Sequence, residues 1–297
     1  MSLATVVLAS TLAVSSATAP GGQQPAAPAQ RPTQPAQMQR PAPHAPAAAQ
    51  QPTQSPAGVI SAAPESVLRP VPDSYRYQNG QTLHYSAEWR LFSAGTATLR
   101  MDAASATEQK VTATADSTGV VALLYRVQDR FESWFDRRTF CSSRINKHSE
   151  EGIRKRDTQI RFDQLRKKAV LDERNLRNGE TKHTEQDIPG CVADVLSGIY
   201  YVASLPLQPG STYVFPVNDG GKTYDVRAYV EGREEIKTDA GTFRTVRVQP
   251  SAEAGVLKSR GKIWIWYTDD AAHIPVQMRA RMFWGTLTFK LVRIDRQ

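Results

Sequence analysis

The feature that most constrains how this chain folds is the alternation of side-chain character at every second position from Gly80 onward. In Leu83-His84-Tyr85-Ser86-Ala87-Glu88-Trp89-Arg90-Leu91 the odd positions are apolar and the even ones polar. Successive side chains of a strand point to opposite faces, so this pattern predicts a half-buried antiparallel strand. Ser93-Ala94-Gly95 turns the chain into a second strand over Thr96–Met101, and a third follows over Gln109–Asp116. Three consecutive strands with short turns predict a meander. Gly119 to Leu124 is a short apolar bridge of one helical turn, after which the alternation resumes over Val127–Asp136. Further strands are predicted at Phe140–Ser149, Arg154–Asp163 and Ala169–Glu173, with Glu151-Gly152 and Leu165-Arg166 as turns.

The period changes once. Val192, Val195, Leu196, Ile199 and Tyr200 fall at helical spacing, which predicts a helix over Val192–Leu205 that Pro206 and Pro209 terminate. Beyond it the strands return at Thr212–Val217, Thr223–Arg233, Glu234–Lys237, Phe243–Pro250, Gly261–Thr268, Ile274–Met282 and Thr286–Ile294. Asp219-Gly220-Gly221, Asp239-Ala240-Gly241, Asp269-Asp270 and Trp284-Gly285 supply turn chemistry between them. So many strands with one helix are too many for a flat open sheet, which curls or closes. The expected fold class is all-β with one helix: a strongly curved antiparallel sheet, half-barrel or β-spiral, with the helix packed at the concave side. A β-sandwich is the alternative.

The part before the strands has a different composition. All Trp, Tyr and Phe lie at or after Tyr75, and buried aromatic area is a large part of any core. The expected organisation is a signal peptide over 1–19, a linker rich in Pro, Ala and Gln over 20–65, and one β-domain over 66–297. Met1 to Ala19 is short and apolar and ends Ala17-Thr18-Ala19, the small-x-small pattern of a secretory leader. No Lys or Arg precedes its apolar run, as expected if the true start codon lies upstream. The segment is too short for a committed span, so no transmembrane span is expected in the mature chain. Pro20 to Pro64 lacks the apolar content to offset its ordering entropy and reads as an extended spacer. Together these place the domain in the periplasm or outside the cell.

Two cysteines, Cys141 and Cys191, stand in this exported context and predict one disulfide; two separate buried thiols are the other reading. The formal charge is +8, and Arg137–Lys182 holds fourteen Lys or Arg against seven Asp or Glu. Arg154 and Arg156, with Arg144 and Asn146, are expected to share a face that attracts phosphate or carboxylate groups, against the plainer reading of a solvated face with edge-protecting cations. No zinc-finger spacing, RNP-type motif or basic helix appears, so nucleic acid is not an expected partner. Trp264 and Trp266 share one face of a strand with Ile263 and Ile265 opposite. With Trp89 they are candidates to line a ligand, core packing being the default. The histidines show no metal-ligand spacing and no metal or cofactor is expected. Asp194 and Ser197, three apart, read as helix-start residues rather than a catalytic pair. No G-x-S-x-G occurs, and no catalytic residue is assigned, so the reading leans away from an enzyme.

An ordered set of short motifs carries a family resemblance. It runs from Gly80, Leu83, Tyr85, Trp89 and Ala94-Gly95 through Ile188-Pro189, Cys191, Asp194-Val195-Leu196-Ser197 and Tyr200-Tyr201. It continues with Leu207-Gln208-Pro209-Gly210, Glu231-Gly232-Arg233-Glu234, Thr238-Asp239-Ala240-Gly241-Thr242-Phe243, Trp264-Ile265-Trp266-Tyr267-Thr268-Asp269-Asp270 and Ile274-Pro275-Val276. From about Tyr75 to the end the chain resembles the bacterial domain of unknown function 3108. The resemblance implies an exported β-rich protein with a curved antiparallel sheet and brings no catalytic residue or cofactor with it. The expected fold is similar to that of periplasmic lipoprotein carriers, whose half-barrels hold acyl chains, an analogy that does not fix function. The expectation is a non-enzymatic cell-envelope protein that binds a lipid, an acylated protein or a glycan in its curved sheet. An envelope adaptor and a cell-wall or polysaccharide enzyme are the alternatives, and a lipid, an anionic envelope polymer or an envelope protein are the expected partners.

Overall fold

The computed structural model describes residues 65–90, 92–252, 261–282 and 285–296. The expected leader, the linker up to residue 64 and Trp284 of the last turn lie outside the described residues. Fourteen strands form one antiparallel sheet: β1 (Thr82–Trp89), β2 (Phe92–Ala103), β3 (Glu108–Ser117), β4 (Val127–Asp136), β5 (Ser142–Glu151), β6 (Arg154–Asp163), β7 (Lys168–Asn175), β8 (Thr181–Asp187), β9 (Thr212–Asn218), β10 (Thr223–Thr238), β11 (Gly241–Ser251), β12 (Lys262–Thr268), β13 (Pro275–Met282) and β14 (Gly285–Asp295). Two helices join them, α1 (Gly119–Leu124) and α2 (Val195–Ala203). The order across the sheet is β8-β7-β6-β5-β4-β3-β2-β1-β14-β13-β12-β11-β10-β9. Two meanders are therefore joined along one seam, where Tyr85 opposes Leu291 and Ala87 opposes Phe289. One continuous sheet replaces the sandwich alternative.

The alternation read from the sequence sets the faces. Leu83, Tyr85, Ala87, Leu99, Met101, Val111, Ala113, Phe131, Phe289 and Leu291 all point inward into one buried cluster that also takes in β9 to β13 and α2. A sheet whose inward positions all meet in one cluster must curve around it. Its two halves do meet: Lys147 of β5 donates to the carbonyl of Asp219 beyond β9 at 2.9 Å. Gly220 in the same turn packs against Ile160 of β6 and Leu171 of β7, and its φ of +99° is one that an L side chain rarely adopts.

The edge strands β8 and β9 are neighbours in sequence but stand at opposite ends of the strand order, so the chain between them has to cross. It does so through Cys191 and α2, eight of whose nine residues are buried. The helix is three residues shorter at its start than Val192–Leu205, because Asp194 is its N-cap rather than a first-turn residue. Cys141 and Cys191 are disulfide-bonded, with Cα atoms 5.0 Å apart, and tie this crossing to the start of β5. Residues 65–81 make a second strap. Val67 donates to Val214 on the β9 edge at 3.1 Å, and Val71 donates to Arg138 in the β4–β5 turn at 2.8 Å. The other edge, β8, is protected by composition, since Thr181-Lys182-His183-Thr184-Glu185-Gln186-Asp187 has no apolar residue.

Candidate functional site

Among the described residues, three of the places where polar or aromatic side chains come together bear on function. The first is under the N-terminus of α2. Asp194 is buried and accepts from the backbone N–H of Leu196 at 2.8 Å and of Ser197 at 3.2 Å. Ser133 of β4 and Ser142 of β5 both donate to its Oδ2, Ser142 at 2.7 Å. Ser142 Oγ and Ser197 Oγ in turn accept from the Asp194 N–H at 2.8 and 2.9 Å. Every polar atom in this set is engaged in fastening α2 to the sheet. A carboxylate with four donors at the start of a helix is a cap, and its hydrogen bonds engage all three serines.

The second place is the concave face. Tyr85, Phe131, Phe135, Phe140, Tyr201, Phe215 and Tyr267 are each below 2% exposed. Phe135 and Phe140 stack at 4.9 Å between ring centroids, and Tyr201 meets Phe215 edge-on at 4.8 Å. Tyr85 and Tyr267 spend their hydroxyls on the carbonyls of Pro275 and Ile199, at 2.6 and 2.9 Å. These rings and α2 occupy the space between the walls, so the concave face is packed there rather than open. Toward one rim a cleft of about 30 Å³ is lined by small residues such as Ala87, Ala94, Gly95 and Ala115, room for about one water-sized group. Beside it Asp129 and Glu151 lie buried on facing strands. Burial first, and the neighbouring Glu151 charge second, push the Asp129 carboxyl up to about 8.

The third place is a groove of about 520 Å³ on the outer face of β4–β8. Its floor is made by outward positions that register aligns in rows: Arg130 opposite His148 opposite Asp157, and Glu132 opposite Asn146 opposite Gln159. The side chains are held by one another. His148 Nδ1 sits 2.6 Å from Asp157, and His183 Nδ1 2.6 Å from Asp172, which also accepts from Arg161 at 2.8 Å. The His183 hydrogen bond, with Arg161 close by, holds the Asp172 carboxyl below the usual carboxylate range. Partial burial of Glu132 is outweighed by Lys110 at 2.7 Å and Arg130 at 2.9 Å, and its carboxyl too is lowered. On the outward face of the groove two cations (Arg130, Arg174) and two histidines (His148, His183) stand among three carboxylates (Glu132, Asp157, Asp172), while Lys147, Glu173 and Lys182 border it from inward positions of their strands. The excess positive charge of Arg137–Lys182 is therefore not gathered there.

The residues singled out in the sequence do not converge. Arg144 pairs with Arg161 and Asn146 with Gln159 on the outer face, whereas Arg154 pairs with Glu151 and Arg156 with Ser149 on the inner side. The shared face expected of these three arginines does not form, because the β5–β6 register sets Arg144 opposite an odd residue of β6. Arg144 instead stacks over Trp134 at 4.2 Å, and Arg156 reaches Glu173 at 3.1 Å. Trp264 and Trp266 do share a face, the outer one, where they donate to Glu231 at 3.3 Å and Glu234 at 2.9 Å. Arg279 lies 5.2 Å over the Trp266 ring. Trp89 is at the rim, opposite Leu287. The groove residues Arg130, Glu132, His148, Asp157, Asp172 and His183 were not singled out in the sequence. Their signal was present as polar residues at every second position, but only strand pairing gathers them.

Comparison with known proteins adds family and fold. The family described as "Protein of unknown function (DUF3108)" matches over residues 84–292. A β-barrel-like protein of the domain of unknown function DUF1849 from Brucella abortus is similar in structure, with a TM-score of 0.53 and 8% sequence identity, covering 74% of this chain and 98% of its own. A protein with a YmcC-like fold from Bacteroides fragilis matches with a TM-score of 0.35 and 9% identity, over 75% of this chain and 98% of its own. A search of curated proteins finds no match. At such identities the likeness to the Brucella protein bears on the fold alone.

Proposed function

This chain belongs to the family of proteins of unknown function DUF3108, and from that premise we propose that it is a non-enzymatic protein of the cell envelope that binds a hydroxyl-rich, glycan-type ligand in the groove over β4–β8. The observation that carries this reading is the preset polar floor of that groove, where His148 is held by Asp157, His183 by Asp172 and Glu132 by Arg130, with no excess of positive charge on the outward face. Preset donors and acceptors without surplus positive charge suit a neutral polar polymer better than an anionic head group or an apolar tail. Carriage of an acyl chain inside the sheet is disfavoured by the aromatic side chains and α2 that fill the concave face. Export is supported by the Cys141–Cys191 disulfide, a bond that persists in oxidising compartments, together with the leader-like Met1–Ala19.

Titration of the purified protein with soluble peptidoglycan fragments and with lipopolysaccharide core oligosaccharide tests the reading. Saturable binding is expected to at least one of them. Replacing Asp157 and Asp172 by Asn should weaken it about tenfold, roughly 1.4 kcal/mol, by releasing His148 and His183 from their set positions. Absence of binding to both glycans, with lipid recovered from the purified protein, would return the function to lipid carriage.

A further inference from the structure

In an antiparallel meander every odd-to-even connection falls at the same end of the strands. The β1–β2, β3–β4, β5–β6 and β7–β8 connections therefore form one rim. Nine large apolar side chains are exposed among the described residues, and six stand on this rim: Phe92, Val120, Leu123, Leu124, Ile153 and Leu176. Leu123 and Leu124 are 87% and 81% exposed, although α1 is too short to hold them out by length alone. Val121 is the one residue of α1 that packs inward. The rim is also continuous. Thr118 donates to Ala94 at 3.1 Å, Gly152 to Arg126 at 2.7 Å and Leu176 to Lys155 at 2.9 Å, so each connection is tied to the next. Arg177 Nη1 completes the line by donating to Ile153 at 3.2 Å.

Arginines interleave with these side chains. Arg90, Arg126, Arg154 and Arg177 are all exposed at this end, against exposed Asp116 and Glu180. Glu150 is taken up by Lys155 at 2.7 Å, and Glu88 by Lys290 at 2.8 Å. Exposed aliphatic side chains on a shallow rim, flanked by arginines in excess of carboxylates, match a surface that is apolar a few ångströms down and negatively charged on top. We propose that this rim docks on an anionic lipid bilayer, with α1 and the Ile153 turn at the level of the acyl-chain boundary and the arginines on lipid phosphates. The proposal is independent of the glycan reading, since the groove lies on the sheet's outer face and the rim at its strand ends.

Flotation of the full-length protein with vesicles tests it. Binding is expected to phosphatidylcholine vesicles that contain about 30 mol% phosphatidylglycerol, with little to phosphatidylcholine alone and a loss near 0.5 M salt, about three times the physiological strength or more. The double variant Leu123→Ser, Leu124→Ser should reduce bound protein about fivefold, and Arg126→Glu should do so through charge alone. Leu165→Ser, at the opposite end and 98% exposed, should leave flotation unchanged. Equal binding to both kinds of vesicle, or rim variants that float like the parent, would overturn the proposal. So would a parent protein that ignores vesicles but self-associates through Leu123 and Leu124, because the rim would then be an interface between copies. The Asp157 and Asp172 variants should float normally, which separates failure here from failure of the glycan reading.

Discussion

Asp129 occupies an inward position of β4, between Val127 and Phe131, where the alternation of the strand demands an apolar residue. Burial and the Glu151 charge raise its pKa from 3.8 to about 8, so the folded protein keeps this proton across a range in which the unfolded chain has lost it. The folded state then binds more protons than the unfolded state between about pH 4 and pH 8, and stability attributable to this site falls as pH rises through that window. Asp129→Asn removes the titration. The variant should gain on the parent progressively with pH, with a larger advantage at about pH 8 than at about pH 5 in urea midpoints. An advantage that does not change with pH would mean that Asp129 is ionised in the folded protein. The inward placement of Asp129 was legible in the period of two. Its partner was not, because Glu151 reaches it only through a register in which Val127 opposes Glu151 and Asp129 opposes Ser149.

At the scale of elements, the period of two exposed every strand that has one wet face and one dry one. It failed where that condition fails. β8 stands at the sheet edge with six of its seven residues exposed, so no alternation marks it and its residues predict no strand. β10 reads as two strands, Thr223–Arg233 and Glu234–Lys237, yet runs unbroken over sixteen residues. A bulge between Val230 and Gly232 adds one residue and flips which side chains face inward, so the pattern restarts while the backbone continues. The groove suffers a different loss: its members lie on five strands, and distance along the chain says nothing about their adjacency. The crossing from β8 to β9 was legible in its parts, Cys141, Cys191 and the apolar spacing of α2. The disulfide closes a separation of 50 residues and fastens this crossing to β5. Replacing both cysteines by serine should lower the unfolding free energy by about 4 kcal/mol on the chain-entropy account. Chemical denaturation of the double variant measures this, and a loss below about 1 kcal/mol would show that Asp194 and its serines hold the crossing without the bond.

At the scale of the whole sheet, stability should be uneven because the core is. The main cluster gathers side chains from both meanders and α2 along the β1–β14 seam. A second, smaller one, made of Ile145, Ile160, Phe162, Ala169, Leu171, Ile188 and Val192, serves the β5–β7 wing. That wing carries most of the outer groove and ends in the polar edge strand β8. Less buried apolar area means a lower free energy for local opening, and an edge strand has neighbours on one side only. Native-state hydrogen exchange should therefore find the amides of β7 and β8 opening through a sub-global event, while those of β1, β2, β13 and β14 exchange only by global unfolding. A difference of about 2 kcal/mol between the two groups would appear as roughly thirtyfold in exchange rate. Uniform protection across all fourteen strands would instead mean that the contact of Gly220 with Ile160 and Leu171 locks the wing to the rest of the sheet. The groove floor would then be as rigid as the seam, and ligand binding would leave exchange over β6 and β7 unchanged. If the wing opens separately, a ligand spanning β4 to β8 must slow exchange there first, which links the unevenness of the core to the proposed site in one measurement.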